Sequence, residues 1–283
     1  MTAGLPWRGP GPDRPALPLP PEKMPMRRGG RLLKRWLYVA AFADEVLVCG
    51  VRVQVGPLGQ TFWVIVDRES GEMHENARLR LPGARGEVWT EDEMFRIMSG
   101  NNVRVNLRPG EGNAIECVCP TPEGEYVWTR KSADIPIEID VRLGDKRWKL
   151  ETRGVRDESA GYHPRHTVWS WSAGVGRTTD GRSVGWNLVS GINDPAEGSE
   201  RAVWVDGEPF EPAPVTFEDL DAIWFDGGAR LGFEAEAERN REERLPMVRY
   251  SYRQPLGRFS GTLPRGIELE HALGVMEHHD AYW

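Results

Sequence analysis

Nearly every apolar run in this chain of 283 residues is too short for a helix, and each is cut by Gly, Pro, Asn or Asp. Val46 to Val55, Gln60 to Asp67, Asn102 to Arg108, Ala114 to Cys119 and Ile135 to Leu143 read as strands in the first half. Ala202 to Val205, Ala229 to Glu238, Met247 to Arg253, Gly257 to Leu263 and Ile267 to His278 read the same way in the second. Roughly sixteen to twenty strands fit, and a chain of many short strands forms a sandwich or a barrel. The expected fold class is all-β and antiparallel. One short helix is expected at Thr90 to Ser99, where Thr90 and Glu93 have the spacing of a capping box. Phe233 to Glu238 alternates small apolar residues with glutamates, as a strand with one wet face does, and Arg239, Arg241 and Arg244 extend that solvated surface.

The two halves are weakly alike. Val55-Gly56 leads through a turn to Gln60 to Val66 with Trp63, and Val175-Gly176 leads through a turn to Arg182 to Val189 with Trp186. Two stacked units of about 125 residues each suit eight-to-ten-stranded barrels, whose interiors take side chains or one small ligand. The expected division is a Pro-rich leader over residues 1–28, a first half over 29–155 and a second over 156–283, joined around Arg153 to Gly161. Leu17-Pro18-Leu19-Pro20-Pro21 gives the leader an extended character.

A net charge of −7 argues against a nucleic-acid or anionic-membrane surface, which needs a basic stripe. The longest apolar run, Trp36 to Ala43, stops at Asp44 and is too short to span a bilayer. Three cysteines make no disulfide framework, so a cytoplasmic protein with buried thiols at Cys117 and Cys119 is expected.

Chemistry-bearing side chains gather at Tyr162-His163-Pro164-Arg165-His166-Thr167-Val168-Trp169-Ser170-Trp171, and in the answering run Gly185-Trp186-Asn187-Leu188-Val189-Ser190-Gly191. From Ser159 to Trp169 the chain resembles a bacterial family catalogued as domain of unknown function 2804. The resemblance continues through Gly185 to Gly191, Asn193-Asp194-Pro195 and Ser199-Glu200-Arg201. It returns at Phe259-Ser260-Gly261-Thr262 and at the closing Gly274 to Trp283. That family looks like a distant relative of tandem lipocalin-like proteins, including carotenoid hydratases and tocopherol cyclases. The resemblance implies two lipocalin-like antiparallel β-barrels, or strongly curved sheets, in tandem. It also implies a long apolar ligand and acid catalysis on isolated double bonds. No active-site motif of those relatives matches residue by residue.

Strand alternation puts Arg165, Thr167, Trp169 and Trp171 on one face and His166, Val168, Ser170 and Ser172 on the other. Glu277, His279, Ala281 and Trp283 alternate with Met276, His278, Asp280 and Tyr282, so either face pairs a carboxylate with an imidazole. Such a pair supplies a general acid or base, and a carboxyl in a dry, tryptophan-lined space has its pKa pushed up. Glu277, His279 and His166 are therefore the candidate catalytic residues. Tyr162, His163, Arg165, Trp169, Trp171, Trp186, Asn187 and Asp194 are the candidate ligand-binding residues, Arg165 for an anionic end. Plainer roles exist for several: His163 and His166 bonding backbone at a strand entry, Asn193-Asp194-Pro195 as a turn, Glu200-Arg201 as an exposed ion pair, and the 12 tryptophans as core. Neighbouring His278 and His279 point to opposite faces, so no metal and no cofactor are expected.

The expected function is binding of a hydrophobic small molecule in a barrel lumen, with or without cofactor-free hydration, cyclisation or isomerisation. The alternative is a carbohydrate-binding or carbohydrate-active β-sandwich with Asp194 and Glu200 as paired carboxylates. A third reading is a structural partner protein that docks through its Pro-rich leader.

Overall fold

The computed structural model describes residues 4–10, 13–80, 86–244 and 249–282. Two short strands lie in the leader, β1 (Trp7–Gly9) and β2 (Arg27–Arg28), and β3 (Arg31–Leu32) follows it. The first half continues with β4 (Lys34–Phe42), β5 (Val46–Val55), β6 (Leu58–Asp67), β7 (Glu72–Arg80) and β8 (Val88–Glu91). It closes with β9 (Met94–Ser99), β10 (Val103–Pro109), β11 (Ile115–Pro120), β12 (Tyr126–Leu143) and β13 (Lys146–Gly161). The second half holds β14 (His166–Thr178), β15 (Ser183–Ser190), β16 (Ala202–Val205), β17 (Glu208–Phe210) and β18 (Val215–Glu218). It ends with β19 (Ala222–Phe225), β20 (Arg230–Arg244), β21 (Arg249–Leu263) and β22 (Ile267–Tyr282). The protein is all-β, as expected, and no α-helix occurs among the described residues.

The helix expected at Thr90 to Ser99 is a hairpin instead. Asp92 (φ 49°) and Glu93 (φ 63°) form its two-residue turn, and Thr90 pairs with Phe95. Thr90 and Glu93 carry only a local signal, whereas the hairpin buries Val88, Phe95 and Ile97 on one face.

Both halves follow one strand order. The first sheet runs β7-β6-β5-β4-β13-β12-β10-β9-β8 and the second β17-β16-β15-β14-β22-β21-β20-β19-β18. In each, the first long strand hydrogen-bonds to the last, which curls the sheet on itself. The equivalence pairs β6 with β16, so the expected match of Gln60 to Val66 with Arg182 to Val189 is displaced by one strand. The edges β7 and β8 do not join in the ladder. There the buried Glu87 carboxylate accepts from Asn76 Nδ2 on β7 (3.0 Å), Ser99 Oγ on β9 (2.9 Å) and Trp63 Nε1 (2.9 Å). The expected join near Val155 falls inside β13, which pairs with β4 from Arg153 to Gly161, and the chain changes sheet only at residues 162–165.

Alternation explains why Tyr38 to Ala43 is apolar at every position. Val39 and Ala41 face the first sheet's own interior with Val48, Trp63, Ile65 and Phe95. Tyr38, Ala40 and Phe42 face the second sheet, meeting Trp171, Ala173, Val189 and Val275. The second sheet fills its own interior with Trp186, Leu188, Val203, Leu231, Phe259 and Met276. Each curl is packed at its centre, and a third core lies between the two curls.

Ion pairs tie the sheets at their margins. Arg68 binds Glu236 through two bonds of 2.7 and 2.8 Å, and Arg239 pairs with Glu75 at 2.9 Å. Arg239 does not extend a wet face. It is buried, its guanidinium 4.2 Å from the Phe62 ring centre and 5.1 Å from that of Tyr252. The Glu236 carboxylate likewise is an interface group, because a bulge between Ala235 and Ala237 shifts the alternation.

The leader is part of the fold. Strand β1 pairs with β11, and Leu19 and Met24 are buried against Tyr126, Trp128 and Tyr162. The Tyr126 and Tyr162 hydroxyls donate to the carbonyls of Pro18 (3.0 Å) and Pro25 (2.8 Å). Arg8 reaches the second half, donating to the carbonyls of Ser199 and Arg201. Such a leader is not a free docking segment. Leu19→Ala should therefore destabilise the protein by about 2–5 kcal/mol in urea unfolding, whereas a loosely attached leader would give no change.

Candidate functional site between the two sheets

A pocket of about 90 Å³ opens in the core between the sheets, not inside either curl. Strand register builds it. Trp169 stands opposite His279 and Trp171 opposite Glu277 across β14 and β22, and Tyr252 on β21 stands opposite His279. One face of the second sheet thus presents Trp169, Trp171, Tyr252, Glu277 and His279. Trp36, Tyr38, Val51, Val53 and Phe62 of the first sheet form the facing wall.

Glu277 is 8% exposed, and every hydrogen bond it receives comes from a neutral donor. Trp169 Nε1 donates to Oε1 (2.8 Å), while Tyr252 Oη (2.7 Å) and Gln254 Nε2 (3.0 Å) donate to Oε2. Burial outweighs these bonds and raises the carboxyl pKa above its ordinary value. His279 sits with its ring 4.2 Å from that of Trp169 and 5.1 Å from that of Tyr252. Burial, together with the charges of His278 and Arg239, pushes its pKa down to about 3. The pocket thus holds a carboxyl shifted toward its protonated form beside an imidazole that is neutral at pH 7. The Tyr38 hydroxyl is buried in the facing wall, with the Cys49 thiol beside it.

A second polar group lies at the other margin. Lys131 of β12 binds Asp157 of β13 (2.6 Å) and Glu200 from the loop before β16 (3.3 Å), all three buried. Burial opposes the Lys131 charge, but Asp157 and Glu200 outweigh it and hold the pKa above the usual lysine value. Burial, with Asp157 nearby, raises Glu200. Asn193 Nδ2 donates to Glu200 Oε2 (3.0 Å), and Asn187 Nδ2 to the Glu200 carbonyl (2.8 Å). Asn187 Oδ1 in turn accepts from Trp171 Nε1 (2.8 Å), so a hydrogen-bonded chain runs from the pocket wall to this group.

Of the residues singled out in the sequence, Glu277, His279, Trp169 and Trp171 line the pocket. Asn187 stands directly behind Trp171. His163 is buried behind the facing wall, stacked on Trp36 with ring centres 4.9 Å apart. The remaining candidates are elsewhere. His166 is exposed on the opposite face of β14, bonded to Asp280 (2.9 Å) and stacked on Tyr282. Arg165 is exposed. Trp186 points into the second sheet's own core and donates to Ser172 Oγ (3.0 Å). Tyr162 anchors the leader. The Asp194 carboxylate accepts from the Gly191 amide (2.7 Å), closing a turn in which Asn193 has φ 49°. Trp283 lies outside the described residues. Glu200 and Arg201 are not an exposed pair: Glu200 binds Lys131, and the buried Arg201 guanidinium donates to the carbonyls of Asp194, Pro195 and Ala196. With Asp194 in a turn and Glu200 on a lysine, these two do not form a carboxylate pair for glycoside chemistry. Among the described residues no group of three or more His, Cys, Asp or Glu is arranged to hold a metal ion.

Trp36, Tyr38, Lys131, Asp157, Tyr252 and Gln254 carry no motif. Their only sequence signal is a polar or aromatic residue at an inward position of an otherwise apolar strand, and that reads equally as core.

Residues 91–283 match the model of the family described as Domain of unknown function (DUF2804). The chain belongs to this family. The matched DUF2804 region contains Lys131, Asp157, Glu200, Glu277 and His279, while Trp36 and Tyr38 lie before it. Among solved structures, kievitone hydratase from Nectria haematococca aligns with a TM-score of 0.53 at 11% identity, covering 88% of each chain. A putative AttH from Nitrosomonas europaea covers 93% of this chain and 98% of its own, at 9% identity and a TM-score of 0.45. CghA with Sch210972 covers 88% of each chain at 8% identity and 0.46. The likeness to kievitone hydratase is one of fold alone, a lipocalin-like arrangement of curled sheets. No curated protein matches the chain. No helix among the described residues is long and apolar enough to cross a membrane.

The two buried titrating groups act on stability in opposite directions. Glu277, raised in the folded state, binds its proton more tightly there than in the unfolded chain, so its contribution falls as pH rises past the ordinary carboxyl range. His279, depressed to about 3 from 6.5, makes the fold lose stability as pH drops through that interval. Relative to wild type, Glu277→Gln should gain stability progressively above the carboxyl range, and His279→Gln should flatten the loss between pH 6.5 and about 3. Chemical denaturation across pH reads both; parallel curves for variant and wild type would refute the assignments.

Proposed function

We propose that the pocket between the sheets performs cofactor-free acid/base chemistry on an unsaturated, largely apolar small molecule, with Glu277 as the acid. The single observation that carries this reading is the Glu277 carboxyl, buried against a pocket and, among the described residues, bonded only to Trp, Tyr and Gln. A salt-bridged carboxylate is held ionised. This one is held toward its protonated form, as a general acid requires.

In a hydration, the Glu277 proton goes to one carbon of a C=C bond, whose π electrons form the new C–H bond. The adjacent carbon takes the positive charge, water adds through its oxygen, and the surplus proton of that water returns to the Glu277 carboxylate. Replacing water by an oxygen of the substrate gives cyclisation, and loss of a neighbouring proton gives isomerisation. The ring faces of Trp169, Trp171 and Tyr252 suit a transient cation, since aromatic faces carry negative potential. Neutral His279 is placed to accept a proton or to orient water. At about 90 Å³ the pocket takes the reacting end of a ligand, with the remainder toward its opening. The fold shared with a protein named as a hydratase is in keeping with this reading, which rests on Glu277 and not on that likeness.

The test has two stages. Mass spectrometry of the apolar molecules that co-purify with the protein should identify a ligand with a C=C bond. Turnover of that compound in D₂O should then place one solvent deuterium on carbon. Glu277→Gln should slow it about 10²–10⁴-fold with cooperative unfolding retained. His166→Ala, on the outer face, should leave it unchanged. Full activity of Glu277→Gln would sink the proposal.

A further inference from the structure

The first curled sheet is filled only part of the way. Beyond Val39, Ala41 and Val48 its inner face continues to Leu37 and Arg35 on β4 and to Arg52 on β5, the even or odd alternation being unbroken. There the interior opens into a cavity of about 250 Å³, lined by Arg35, Arg52, Arg80, Leu37, Trp128 and Glu158 among others. Three arginines thus line one concavity in a chain whose net charge is −7. The rim carboxylate, Glu158, is engaged by Arg156 at 2.9 Å. Among the described residues no carboxylate lies within ion-pair distance of Arg35 or Arg52, and Arg35 Nε is buried without a hydrogen bond. Thr61, directly across the ladder from Arg52, is 1% exposed, and its hydroxyl makes no hydrogen bond. Burial and the charge of Arg80 lower the Arg52 pKa, so this arrangement costs the unliganded fold free energy. Arg35 and Arg52, half-buried and with no counter-charge among the described residues, are a poor structural device. They match an oxyanion, which a guanidinium binds through two parallel N–H donors.

We infer that the mouth of the first sheet binds the carboxylate or phosphate end of an amphiphilic small molecule, through Arg35 and Arg52, with its apolar portion against Leu37 and Trp128. The site is separate from Glu277 and does not depend on the chemistry proposed for the other pocket. It shares only Trp36 and Val53 with that pocket.

Thermal shift and titration calorimetry on the full chain with octanoate, octyl phosphate, 1-octanol and inorganic phosphate test this. Octanoate or octyl phosphate should raise the Tm, and the better of the two names the head group. Binding should weaken with added NaCl, and 1-octanol and inorganic phosphate should bind at least about tenfold more weakly. Arg52→Gln should weaken the anion about tenfold or more. It should also raise the Tm of the unliganded protein, because it removes a charge that Arg80 opposes. An arginine with a structural role would lower that Tm. Arg35→Gln gives a second, independent reading of anion affinity, and binding should persist in Glu277→Gln. Equal binding of 1-octanol and octanoate, no binding of either anion, or wild-type affinity in both arginine variants would overturn the inference.

Discussion

Everything in this molecule depends on two curled sheets pressing one face of each against the other. The central strands β4, β5, β14 and β22 are thereby buried on both sides, one against their own curl and one against the opposite half. Burial on both faces accounts for the unbroken apolar runs, for the thiol of Cys49 deep in the interface, and for the marginal position of charged ties such as Arg68–Glu236. It also fixes where a cavity forms: the large rings of Trp36, Trp169 and Trp171 hold the walls apart at one end of the contact.

The same packing sets the electrostatics. Polar groups caught between the sheets must be satisfied locally, because water is excluded. Two solutions sit side by side. Lys131 is neutralised by carboxylates from both halves, Asp157 and Glu200, and this triad joins the halves across the interface. Glu277 instead receives three neutral donors and is held toward its protonated form. One carboxylate set serves the architecture, and the other is the one to which we assign proton transfer. Arg8 of the leader grips the 199–201 backbone and so braces the loop that carries Glu200, which makes the leader part of the site's support.

Much of the site was legible because strand alternation is a local rule. Placing Trp169 and Trp171 on one face and Glu277 with His279 on another follows from a period of two, and the register then sets those pairs directly opposite one another. The rule stops at strand ends and bulges. His166 obeys it and so falls on the outer face of β14, whereas Arg165 precedes the strand and Asp194 lies in a loop where its carboxylate caps a turn. Arg239 looked solvated because it is charged and follows a row of glutamates, whereas the bulge after Ala235 turns its side of the strand toward the interface, and no residue type announces that bulge. The hairpin at Asp92-Glu93 was hidden in the same way: a capping spacing is visible locally, while the burial that overrides it comes from distant strands.

By itself the sequence determined the class of fold, the strandedness of nearly every segment and the pairing of a carboxylate with an imidazole near the C-terminus, since all three rest on periodicities of a few residues. Only the tertiary structure decided that the Glu277 pocket lies between the curls, that Lys131, Asp157, Tyr252 and Gln254 belong beside it, and that the leader is bound down. The reason is separation along the chain: Lys131 meets Glu200 and Tyr38 meets Trp171 only when the two sheets close on each other, and no local pattern encodes which face of one sheet will meet which face of the other.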